Sequence, residues 1–107
     1  TRKLMSLTNT EKKRFRAIGH SLKPVVIIAQ KGLTENIGLE INRALDSHEL
    51  IKLKFQIPDR AAKQKLTEEI CKNYKAEAVQ SIGNVLLLYR AAKRPDPKLS
   101  NLLRKIS

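Results

Sequence analysis

Tryptophan is absent from this 107-residue chain, aromatic residues make up 4% of it, and it holds one cysteine and one methionine. A core with so few rings must come mostly from Leu, Ile, Val and Ala. The hydrophobic content of 41% is enough for one domain of this length to close such a core unaided. The lone Cys71 excludes an internal disulfide, and on a helical face it reads as a small buried hydrophobe rather than a reactive thiol. No apolar run approaches the ~20 residues of a membrane span, and no signal-peptide pattern opens the chain, so the expected compartment is the cytoplasm. Catalytic constellations are missing too. His20 and His48 lie far apart and, with one cysteine, make no metal-ligand spacing. Glu68 and Glu69 are adjacent and point away from each other on a helix, and no Walker-type or Rossmann glycine pattern is present. The expectation is a protein that is not an enzyme and carries no cofactor and no metal.

Acids are also scarce. The chain has 22 Lys and Arg against 10 Asp and Glu, a net charge of +12. Residues 1–34 hold Arg2, Lys3, Lys12, Lys13, Arg14, Arg16, Lys23 and Lys31 against Glu11 alone. Residues 90–107 hold Arg90, Lys93, Arg94, Lys98, Arg104 and Lys105 against Asp96, while 35–89 is balanced. An excess confined to the two ends points to a polyanion. An anionic membrane is the poorer candidate, because the basic helix lacks the bulky apolar face such binders use. Nucleic acid is the expected partner.

The stretch from Pro24 to Thr34 is the focus of the chain. Val25 to Ile28 form a continuous, largely β-branched run, which reads as a strand buried on both faces. It enters the turn Ala29-Gln30-Lys31-Gly32, and a helix capped by Thr34 follows. Free N–H groups, the helix dipole and Lys31 would converge there as a phosphate site. Upstream, Thr8 and Glu11 have capping-box spacing, and the helix they open is expected to end at Gly19. Phe15, Ile18 and Leu22 form its apolar side, with Lys12, Lys13 and Arg16 exposed and Arg14 at the margin.

Downstream, Ile37, Ile41, Ala44 and Leu45 give the Thr34 helix a buried stripe to about His48, and Gly38 suggests close packing against the sheet. Residues 50–57 alternate, with Ile51, Leu53, Phe55 and Ile57 on one face and Lys52, Lys54 and Gln56 on the other. The sheet is therefore expected to carry helices on one side and to be at least partly wet on the other. The two lysines could meet phosphates, or serve only to discourage edge pairing. Asp59 caps a third helix with inner stripe Ala62, Leu66, Ile70 and Tyr74. Gly83-Asn84 between two β-rich runs signals a hairpin. Its second strand, Val85 to Tyr89, is apolar on both faces and belongs inside the sheet. Residues 1–91 read as one domain whose core closes at Arg90, and 92–107 as a basic linker with a tail helix on Leu99, Leu102, Leu103 and Ile106.

Four blocks, Leu22-Lys-Pro-Val-Val, Lys31-Gly-Leu-Thr-Glu, His48-Glu-Leu-Ile-Lys-Leu-Lys and Ile82-Gly-Asn-Val-Leu-Leu-Leu-Tyr-Arg90, together resemble the bacterial YhbY family of the chloroplast RNA splicing and ribosome maturation (CRM) domain group. The resemblance covers roughly Leu7 to Arg90. It implies an α/β two-layer sandwich, an N-terminal helix then βαβαββ with a four-stranded mixed sheet, similar to the C-terminal domain of initiation factor three. It also implies RNA binding, and for single-domain bacterial members association with precursors of the large ribosomal subunit (the pre-50S particle). The strand-to-helix turn of the family is a GxxG loop close to the RNA backbone. Carried onto this chain, the loop keeps Gly32 and a basic middle but has Ala29 in place of its first glycine, which bears on any role needing positive φ at 29.

The expected activity is therefore assistance to large-subunit assembly through precursor rRNA, by a monomer that does not engage membranes. A structured-RNA binder of the tRNA type and a permanent ribosomal component are the alternatives. Expected contacts are Lys12, Lys13, Arg16, Lys23, Ala29, Gln30, Lys31, Gly32, Thr34, Lys52, Lys54 and Arg90. With few aromatics, base stacking should be minor and selectivity shape-based. If five cations meet phosphates, log K should fall against log salt with a slope of roughly −3.5 to −4.5. A salt titration of RNA affinity measures this, and a flat slope would leave the basic ends merely solvated.

Overall fold

The structure, a computed structural model, describes residues 8–94 and 100. Its elements are α1 (Asn9–His20), β1 (Pro24–Ile28), α2 (Glu35–His48), β2 (Leu50–Phe55), α3 (Arg60–Tyr74), β3 (Glu77–Ile82) and β4 (Val85–Tyr89). This is the anticipated helix followed by βαβαββ. All three helices begin at the caps read from the sequence. Thr8 Oγ1 accepts from the Glu11 N–H at 3.1 Å and Glu11 Oε1 from the Thr8 N–H at 3.0 Å, so both halves of the capping box form. Thr34 Oγ1 accepts from the Ile37 N–H at 3.3 Å, and Asp59 Oδ1 from the Ala61 N–H at 3.0 Å.

The strands make one four-stranded mixed sheet in the order β1-β2-β4-β3. β1 and β2 are parallel, joined through α2, and β4 runs antiparallel to both its neighbours. β4 lies inside the sheet, as its two-sided apolar sequence requires. Leu86 and Leu88 face α2 and α3, where Val26, Ile28, Ile51, Leu53 and Phe55 meet Ile41, Leu45 and Ile70. Ile37, Ala44, Ala62, Leu66 and Tyr74 border that core. Cys71 sits beside it, and burial pushes its thiol above the usual cysteine range, as suits a packing residue.

The second face is not simply wet. α1 lies across it, with Phe15, Ile18 and the following Leu22 packed on Leu50, Val79, Leu87 and Tyr89. The Phe15 and Tyr89 rings are 4.8 Å apart and tilted by 42°. Gly19 does not end α1, which continues to His20 and is capped by Ser21. Instead Gly19 is buried, and a Cβ there would lie 2.5 and 2.6 Å from the Leu87 methyls. The missing side chain lets helix and sheet approach. Gly38 has a similar reason but a different neighbour, since its Cβ would collide with the Tyr74 hydroxyl of α3 rather than with the sheet.

β1 departs from its reading as a doubly buried strand. Among the described residues it is an edge strand paired only with β2 and not covered by α1, so Val26 and Ile28 are buried while Val25 and Ile27 are 45% and 50% exposed. A continuous apolar run does not distinguish a central strand from an edge strand with an apolar outer face.

Contacts also continue past Arg90. Glu49, joining α2 to β2 at φ 63°, is 5% exposed. Its carboxylate accepts from the Ala92 N–H at 2.8 Å and from the hydroxyl of fully buried Ser100 at 2.7 Å. Its carbonyl accepts from the Arg90 N–H at 2.9 Å. Ser100 is thus fastened to the domain; the tail stripe Leu99, Leu102, Leu103 and Ile106 lies outside the described residues.

Two substitutions test this packing by denaturant unfolding. Glu49→Ala deprives Ala92 and Ser100 of a buried charged acceptor and should cost about 1–3 kcal/mol. Gly19→Ala should lose about 1–3 kcal/mol by overpacking buried Leu87, offset by up to about 1 kcal/mol of helix propensity, leaving a net loss of up to about 2 kcal/mol.

Candidate nucleic-acid interface

The turn after β1 is closed by the Gly32 N–H donating to the Ala29 carbonyl at 2.8 Å, with the Thr34 N–H donating to the Gly32 carbonyl at 3.0 Å. Gln30 and Lys31 occupy its centre, and both are exposed. Gly32 has φ +74°, a region costly for any side chain, although a Cβ there would find only a Leu66 methyl at 3.6 Å. Backbone conformation therefore holds the glycine, not lack of space. Ala29 is not among the residues of positive φ, so alanine fits the first loop position without backbone strain.

The helix N-terminus beyond the turn is a weaker anion site than its sequence suggests. Thr34 already takes the Ile37 N–H, and Glu35 stands exposed in the first turn of α2. On the α3 side, Gln30 and Gly32 border a groove of about 490 Å³ that includes Asp59, Lys65 and Glu69. That side is of mixed charge. Lys31 is the strongest local attraction for phosphate.

The remaining cations segregate by layer. α1 carries Lys12, Lys13, Arg14 and Arg16 against Glu11, and its outer side turns away from the sheet. Lys13 and Arg16 are exposed, Lys12 is half-buried, and the Arg14 guanidinium lies 5.7 Å from the centre of the Phe15 ring. Exposed Lys23 follows in the connector, and Lys52 (half-buried) and Lys54 (exposed) point from β2 to the α1 side. α2 and α3 together carry Glu35, Glu40, Asp46, Glu68 and Glu69 against Arg43, Arg60, Lys63, Lys65 and Lys72, a balanced layer. The α1 side of the sheet is thus the basic side.

Arg90 does not join it. Its guanidinium pairs with Asp46 at 2.7 Å and donates to the Asn42 side chain and carbonyl and to the Tyr74 carbonyl at 2.9, 3.1 and 3.0 Å. These contacts clamp the end of β4 to α2 and α3, which gives Arg90 a structural role whatever it does toward nucleic acid. Thr34 is a helix cap, as expected. The sequence did not distinguish Ile27 and Ile82, which are exposed on the same side of the sheet as Lys54, because exposed apolar residues in strands carry no mark separating them from core.

The chain has relatives of known sequence and structure. A family model described as the CRS1 / YhbY (CRM) domain matches residues 7–90. A Pseudomonas aeruginosa protein named as a probable RNA-binding protein is 46% identical over 100 residues, covering 94% of this chain and 96% of the relative. An RNA-binding protein of Haemophilus influenzae is 42% identical over 90 residues, 83% of this chain and 91% of its own. The solution structure of a hypothetical Staphylococcus aureus protein superposes with a TM-score of 0.73 at 30% identity, covering 83% of this chain and 93% of that one.

For the turn, Lys31→Ala should weaken RNA binding by about 1 kcal/mol or more with the melting temperature unchanged. Ala29→Gly should be tolerated, and Gly32→Val should damage both fold and binding through its positive φ. Arg90→Ala should instead lower the melting temperature while the folded protein keeps its RNA affinity. Affinity measured beside thermal melting separates the two sites, and an affinity loss in folded Arg90→Ala would return that residue to the interface.

Proposed function

The chain belongs to the CRS1 / YhbY (CRM) domain family, and from that premise we propose that it is a cytoplasmic, non-enzymatic RNA-binding protein that assists large-subunit assembly by contacting precursor rRNA. The observation that carries RNA binding is the layered charge. Lys12, Lys13, Arg16, Lys23, Lys31 and Lys54 all lie on the α1 side of the sheet or at its rim, opposite a balanced α2–α3 layer. Phosphates meeting that side displace counterions, and the affinity so gained needs no particular base sequence. The resemblance to the YhbY family supports the assembly role, since association with large-subunit precursors is what that resemblance implies.

Sedimentation of cell extract through a sucrose gradient tests the reading. The protein is expected with large-subunit precursors and depleted from mature ribosomes. Equal occupancy of mature particles would make it a permanent component. Absence from every ribosomal fraction, with crosslinked RNA of another kind, would make it a binder of structured RNA such as tRNA.

A further inference from the structure

Two exposed isoleucines, one on each edge strand, fall in one line. Ile27 pairs with Lys54, Lys54 with Val85, and Val85 with Ile82, so a single register row crosses all four strands on the α1 side. Ile27 is 50% exposed and Ile82 63%, Lys54 is exposed and Val85 half-buried. Apolar side chains left in water at the same level on both edges, around a lysine, make a candidate interaction surface. α1 stops short of the row. Gly19 lies on Leu87, two residues beyond Val85 along β4, and His20, Lys52, Gln80, Ile82 and Val85 border a recess of about 210 Å³ between helix end and sheet. Among the described residues, neither the row nor the recess includes an acid.

The row is also continuous with the candidate interface. The turn at Ala29 begins two residues after Ile27, with Lys31 in its centre, and α1 presents Lys13 and Arg16 on the same side of the sheet. We propose that the row Ile27–Lys54–Val85–Ile82 is a platform for the bases of an unpaired RNA stretch, its backbone held by Lys54, Lys52 and Lys31. This rests on the reading of the chain as an RNA-binding protein and adds the class of RNA. A duplex keeps its bases stacked inside and offers phosphates and 2′-hydroxyls, which would leave the apolar row unburied. An unpaired strand offers apolar base faces and phosphates together, matching apolar side chains interleaved with lysine. Three inter-strand gaps of about 4.8 Å make the row roughly 14 Å long, room for more than one base. A second copy stacked on the same face would bring the Lys54 and Lys52 charges of both copies together, which disfavours that occupant. Aliphatic contact with base faces is tolerant of sequence, so scarce aromatics limit selectivity without removing base contacts.

The test uses the full chain with two RNAs at fixed salt, an unstructured single strand and a blunt duplex of the same length. Wild type should bind the single strand more tightly. Ile27→Ser/Ile82→Ser should lose about fivefold or more of single-strand affinity and none of the duplex affinity, whereas Lys31→Ala should weaken both. Both isoleucines are exposed, so the melting temperature should hold; if the pair melts early, Ile82→Ser alone decides. Unchanged single-strand affinity, or equal losses for both RNAs, overturns the platform and leaves RNA binding standing. Sedimentation equilibrium showing wild-type self-association that the serine variants abolish, with RNA affinity unchanged, overturns it in favour of a second copy. Failure of wild type to bind either RNA removes the RNA reading itself.

Discussion

Val85–Tyr89 is apolar on both faces, and covering both faces of one strand is the constraint from which the rest of this architecture follows. Leu86, Leu87 and Leu88 are each at most 3% exposed, and each such burial contributes roughly 1.5–3 kcal/mol before entropy is charged against it. Two neighbouring strands and a helix layer on each side are needed to exclude water from all three. β2 and β3 flank the strand, α2 and α3 cover Leu86 and Leu88, and α1 covers Leu87. Gly19 is part of that solution, because a methyl group at its position would already press on Leu87. Arg90, directly after the strand, locks it to Asn42, Asp46 and Tyr74.

Centring α1 on β4 leaves other parts of the sheet bare. α1 packs on the Leu50–Tyr89 end of the second face and stops at His20, so among the described residues nothing covers the Lys54–Val85 end or the outer side of β1. One helix therefore does two things. Its Phe15 side closes the minor core, and its Lys13 and Arg16 side gives that layer its charge. α2 and α3, whose charges balance, cover the major core and offer a polyanion little net attraction. The charge that each face presents is in this way coupled to how the sheet is closed.

The turn shows how local chemistry is shared between structure and recognition. Gly32 supplies the positive φ that returns the chain into α2, and Thr34 supplies the cap. Lys31, next to Gly32 at the centre of the turn, is exposed. Ala29 in place of the first loop glycine changes little, because the positive φ falls on Gly32.

Much of this was written locally. Capping at Thr8, Thr34 and Asp59, the stripes Ile37–Ile41–Leu45 and Ala62–Leu66–Ile70, the Gly83-Asn84 hairpin and the interior position of β4 follow from side-chain chemistry acting within a few residues, so the sequence alone determined them. It also determined the charge excess and the basic helix. Strand order and register are different in kind, since they arise from which segments outcompete others for pairing and burial at long range. Only the tertiary structure could show that Val25 and Ile27 lie on an edge, that Gly19 is a contact and not a stop, and that Glu49 reaches Ser100. The guanidinium of Arg90 and the ammonium of Lys54 look alike in sequence. Packing puts one among four acceptors from α2 and α3 and the other in water between Ile27 and Val85, because each side chain's surroundings are set by strands distant in the chain.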